Sequence, residues 1–110
     1  MKELLKRQRE IDETYFKGIR ENTSLSYWGL AIGGEVGELQ NYIKKYIRNH
    51  PKDESKEKLR LRIAEESADI LIYLLILSDI FDFDLRETTY QKQEINIYRM
   101  KNKEHKCLGE

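Results

Sequence analysis

Apolar residues recur at helical spacing through four stretches of this chain, each closed by a polar or proline-bearing break. Leu4, Ile11, Tyr15 and Ile19 mark a first predicted helix from about Lys2 to Arg20. Glu21-Asn22-Thr23-Ser24 reads as a loop ending in a cap, with Thr23 or Ser24 as N-cap of the second helix. That helix extends to about Asn49, because Pro51 disfavours helical backbone at His50. Pro51 to Ser55 is the clearest loop, and Ser55 or Asp53 caps a third helix from about Lys56 to Ile80. Asp82-Phe83-Asp84 is a short break. Asp84, with Glu87 three residues on, resembles a capping box that opens a fourth helix reaching Lys101. The expected fold is therefore all-α, a four-helix bundle protomer in a single domain over residues 1–101, followed by a solvated polar tail over 102–110.

The third helix changes this picture. Ile70 to Leu77 is apolar on every side for two turns, so it must be covered all round. Four helices in one protomer barely supply that cover. The expectation is an oligomer, most simply a symmetric dimer, whose partner helices complete the core. Those eight residues are far short of the roughly 20 a membrane span needs, so no membrane partner is expected. Lys plus Arg equals Asp plus Glu at 20 each, which leaves no net field to draw nucleic acid. Cys107 is the single cysteine, so there is no disulfide framework, and a reducing, cytoplasmic compartment is expected.

The chemistry lies in two acid pairs of equal spacing, Glu35-Val36-Gly37-Glu38 and Glu66-Ser67-Ala68-Asp69. Residues three apart share a helix face, so each pair aims two carboxylates one way. The second pair opens onto the apolar run. Carboxylates there are costly unless neutralised, and no cation is placed to do so. Four converging acids predict bound divalent metal, Mg²⁺ first and Mn²⁺ in its place. Glu65 points about 100° away from Glu66 and is expected outside the group.

Around the acids stand further candidates. Trp28 lies two turns before Glu35, roughly 10 Å along the axis, and reads either as a base-stacking wall or as a core residue. Gly29, Gly33, Gly34 and Gly37 weaken the second helix by about 0.5–1 kcal/mol each, which close helix packing, or else a ligand, must offset. Lys45 shares the face of Glu35, and Lys44 and Arg48 add charge nearby. Lys92, Asn96 and Arg99 form one stripe on the fourth helix, suited to phosphate oxygens or to plain solvation. No Glu-x-x-His pair, no Gly-x-x-x-x-Gly-Lys-Ser/Thr loop and no base beside Cys107 is present, which argues against di-iron, P-loop and thiol chemistry.

Taken together, Leu30 to Leu39, Glu65 to Leu74, Asp82-Phe83-Asp84-Leu85 and Lys92…Asn96…Arg99 resemble the MazG-like, all-α nucleoside triphosphate pyrophosphohydrolases over about Gln8 to Arg99. The spacer of 27 residues between Glu38 and Glu66 is long for that pattern, and Ala68 stands where glycine is common. The resemblance implies a helical bundle assembled as a dimer or tetramer. It implies Mg²⁺-dependent hydrolysis of a nucleoside triphosphate to monophosphate and pyrophosphate. Glu35, Glu38, Glu66 and Asp69 would be the metal-holding, catalytic acids. Trp28, Lys45, Lys92, Asn96 and Arg99 are the expected substrate contacts. The rival expectations are a dUTP-, dCTP- or phosphoribosyl-ATP-directed relative, or a non-catalytic helical interaction module.

Overall fold

A computed structural model describes residues 1–102. The described residues form five helices and no strand: α1 (Lys2–Tyr15), α2 (Ile19–Asn22), α3 (Leu25–Arg48), α4 (Lys56–Ile80) and α5 (Leu85–Lys101). The polar tail expected beyond Asn102, with His105 and Cys107, lies outside the described residues.

The caps explain most of the boundaries. Ser24 Oγ accepts the Tyr27 N–H at 3.2 Å, Ser55 Oγ that of Lys58 at 3.3 Å, and Asp84 Oδ1 that of Glu87 at 3.0 Å. Of the alternatives the sequence left open, serine caps in both cases. Asp53 instead receives the Arg48 guanidinium in a two-pronged contact at 2.8 and 2.9 Å, closing the α3–α4 loop. Only half of the predicted capping box forms, because Glu87 Oε1 accepts from Gln91 Nε2 rather than turning back. Asn49 ends α3 in the left-handed region, at φ 50°.

The first predicted helix is two pieces. α1 stops at Tyr15, and the chain turns through Phe16–Gly18 before the single turn of α2. Gly18 sits at φ 81°, where a side chain would be strained, and a Cβ there would lie 3.1 Å from the Asn22 amide nitrogen. A glycine inside a helical pattern is the only sequence sign of this elbow.

α3 and α4 pack along their length as an antiparallel pair, with α1 against α4 and α5 leaving its far end. The half-buried residues of α3, among them Ala31, Ile32, Glu35, Val36, Leu39, Tyr42 and Tyr46, follow one stripe that begins at buried Trp28. On α4 the matching stripe runs from Leu59 through Ile63, Glu66 and Ile70 to Leu75 and Ile76. Packing on the single chain is thin. Trp28, Leu59, Leu75 and Ile76 are the buried hydrophobic residues, while Leu30 and Ile47 are 76% and 74% exposed. Ile72, inside the apolar run, is also exposed. The Cα radius of gyration is 17.5 Å, against about 13 Å for a compact chain of this length. The accessible surface is 9091 Å², against about 6400 Å² for a compact protein of this mass.

The glycines carry a correction. A Cβ added at Gly29, Gly33, Gly34 or Gly37 would meet nothing within 4 Å. The close helix packing expected there does not occur within the protomer. The stripe that meets α4 is built instead on residues of ordinary size.

Candidate metal centre

The α3–α4 register places Glu35 opposite Glu66. Both occupy positions in the packed stripes where apolar residues otherwise stand, so each carboxylate is half withdrawn from water. Glu38, one turn along α3, approaches from the exposed side. One carboxylate oxygen from each of Glu35, Glu38 and Glu66 lies within 4.8 Å of the other two. Glu35 Oε2 and Glu66 Oε2 are buried and have no hydrogen-bond partner. None of the three forms an ion pair among the described residues. The nearest cation on α4, Arg62, is engaged by Glu54 at 3.4 Å and Glu65 at 4.0 Å.

Like charges so close oppose ionisation. The carboxyl of Glu66 is pushed up to about 7, first because its protonated form can donate a hydrogen bond to Glu35, then by burial and by the charges of Glu35 and Glu38. Asp69 is raised as well, chiefly by burial and then by Glu35, Glu65 and Glu38. Buried lone pairs without a donor and a crowd of hard oxygen ligands are what a divalent cation such as Mg²⁺ or Mn²⁺ would satisfy. The residues present fit such an ion.

Asp69 stands outside the close trio. It lines an adjoining cleft of about 380 Å³ with Glu35, Trp28, Tyr27 and Tyr73. Trp28 is only 4% exposed, edge-on to Tyr73 at 6.0 Å and to Tyr27 at 5.8 Å between ring centroids. Its indole N–H is buried and unpartnered. Trp28 thus belongs to the core and also forms part of the cleft wall. The Tyr73 hydroxyl is raised by burial, then by Tyr27, Glu35 and Asp69.

Glu65 is exposed and outside the trio, as its wheel position predicts, and lies 4.0 Å from Arg62. Lys45 is half-buried, with its Nζ 5.7 Å from the Tyr42 ring centroid. Arg48 is occupied by Asp53. Lys92, Asn96 and Arg99 all lie exposed on α5 and make no hydrogen bond or ion pair with the acids among the described residues. The same chain therefore gathers Glu35, Glu38 and Glu66, adjoins Asp69 and Trp28, and leaves the α5 stripe separate.

The sequence did not point to the other wall of the cleft. Gln8, Asp12, Phe16 and Ile19, from α1, the elbow and the start of α2, line it together with Glu35 and Asp69. Their only advance signal was Gly18 interrupting the first helix.

No family model, no curated protein and no solved structure gives a significant match to this chain.

Proposed function

We propose that the protein is a Mg²⁺-dependent nucleoside triphosphate pyrophosphohydrolase of the MazG-like all-α type. The observation that carries the reading is the trio Glu35, Glu38 and Glu66, mutually within 4.8 Å, with two buried carboxylate oxygens lacking any partner. A divalent ion bound there supplies positive charge to a polyphosphate and to an attacking water. The chain's own residues do the rest. Glu35 and Glu66 hold the ion from the helix interface, and Asp69 extends the acid set into the cleft. Glu38, the most exposed of the trio, accepts the proton of the water that attacks the α-phosphorus. The cleft beside Asp69 has aromatic walls and takes the base. The cationic groups of Lys45, Lys92 and Arg99, with the amide of Asn96, serve the leaving pyrophosphate.

The large accessible surface and the exposed apolar residues support the second part of the reading, a homodimer or homotetramer in which a second copy covers the α4 run. The α5 stripe is separate from the acids within one chain, which fits a site completed on assembly. No described helix is long and apolar enough to cross a membrane, which is compatible with a cytoplasmic enzyme acting on the nucleotide pool.

A pyrophosphate-release screen over normal and modified nucleoside triphosphates tests the reading. Release of pyrophosphate and monophosphate in equal amounts, dependent on Mg²⁺ and lost in Glu66→Gln, is expected. Absence of release from every member of the panel would remove it.

A further inference from the structure

Four charged residues distant in sequence meet where α1, the elbow and the end of α4 converge. Arg9 donates to Asp79 from Nε at 2.9 Å and Nη2 at 2.6 Å. Arg20 donates from Nε to Asp12 at 2.7 Å and from Nη1 to Asp79 at 2.5 Å. Asp12 also accepts from Gln8 Nε2 at 2.9 Å. The side chains of Arg20, Asp12 and Asp79 are 19%, 14% and 17% exposed, while Arg9, at 54%, closes the network from the solvent side, so its inner three residues are partly desolvated. Asp79 serves both arginines and is held below the usual carboxylate range, first by its hydrogen bond from Arg9.

The network ties down the segment that forms the far wall of the acid-lined cleft. Asp12 lies four residues before Phe16, and Arg20 directly follows Ile19; both apolar side chains face the cleft that Trp28 and Asp69 line. Gly18, at φ 81°, makes the bend that lets Asp12 and Arg20 pair across it. Backbone hydrogen bonds within the elbow set its local shape, but its side-chain packing is shallow, because no residue of α1 or α2 is fully buried. We infer that Arg20, Asp12 and Asp79 are positioning residues: they clamp the elbow so that Phe16 and Ile19 close the cleft and set how well a base fits it. The inference rests on the proposed nucleotide reading for what enters the cleft, but not for the clamp itself.

Trp28 is the sole tryptophan and shares the cleft with Phe16 and Ile19, so its fluorescence reports the wall without any ligand. In the full chain, Arg20→Met is expected to raise acrylamide quenching of Trp28. It is also expected to raise KM for the best nucleotide of the screen about tenfold with kcat within about twofold, the pattern of lost uniform binding. Arg20→Lys, which keeps the charge but not the fork, should fall between. If Arg20→Met does not fold, Gly18→Ala, which strains the bend that lets Asp12 and Arg20 pair, gives the same two readouts. Unchanged quenching, or a fall in kcat at constant KM, would overturn the clamp. If the wild-type protein turns over no nucleotide, the enzymatic reading fails, and the quenching comparison alone still decides whether the clamp holds the wall.

Discussion

Two charged clusters in this molecule, each with half-buried carboxylates at a helix contact, differ in how their charge is balanced. At the α1–α4 contact, Arg9 and Arg20 face Asp12 and Asp79, and the acids' oxygens are engaged by cationic donors. At the α3–α4 contact, Glu35, Glu38 and Glu66 face one another with no cation, and two buried oxygens have no partner. The first arrangement is self-sufficient and holds helices together. The second opposes the packing in which it sits, since like charges are brought together as the helices close. Burial of charge alone therefore does not distinguish scaffold from site. The difference between the two clusters is whether the charge is balanced within the chain.

The largest effect that would break this contrast is loss of an acid from the trio. Glu66→Gln should reduce Mg²⁺-dependent pyrophosphate release by at least about 10–100-fold, the range for disturbing a metal's supporting groups. The same substitution should raise the melting temperature in the absence of divalent ions, because it removes repulsion. A lower melting temperature in chelator would contradict the contrast.

The clamp should respond in the opposite way. Asp79→Asn leaves two arginines without their shared anion and should cost about 1–3 kcal/mol of stability, read by denaturant unfolding. Stability equal to that of the wild type would place the network among inert surface pairs.

The pH dependence sharpens the comparison further. Glu66 titrates near 7 in the folded chain, above its ordinary value of 4.5. The folded state thus binds the proton more tightly than the unfolded one. That contribution to stability is full below pH 4.5 and is lost as pH rises to about 7. Asp79, held low, contributes with the other sign: its stabilisation is present at neutral pH and fades in acid, below its ordinary 3.8. Metal-free thermal melts between pH 4 and 8 should fall with pH over the Glu66 range, and saturating Mg²⁺ should flatten that fall. A flat metal-free profile would argue against the crowded trio.

The smallest effects lie in the frame around both clusters. Ser55→Ala removes the α4 cap and should cost about 1 kcal/mol. Gly18→Ala, at positive φ, should cost about 1–2 kcal/mol. Both are read by chemical denaturation, and a neutral Gly18→Ala would mean the elbow is not built as described.

Much of this was legible in the chain. Helical periodicity and caps located α3, α4 and α5 to within a residue or so, because Ser24, Ser55 and Asp84 make the bonds their residue types predict. The spacing of three aimed each acid pair, and the antiparallel register then set Glu35 against Glu66. What was not legible depended on long-range pairing. Asp79 shows nothing in sequence of its two arginines, 59 and 70 positions away. The elbow at Gly18 broke a helix whose apolar spacing continued across it. The open space beside Gly29, Gly33, Gly34 and Gly37 likewise could not be read from their repeat, which pointed to close packing or a ligand.

The most direct test is calorimetric titration of the metal-free protein with Mn²⁺ and Mg²⁺ above pH 7, where Glu66 is ionised, with Glu66→Gln in parallel. Saturable binding to the wild type, weakened in Glu66→Gln and accompanied by proton release that grows as the pH is lowered towards 7, is the predicted result. No binding to the wild type, or equal binding to both proteins, would contradict a metal centre at Glu35, Glu38 and Glu66.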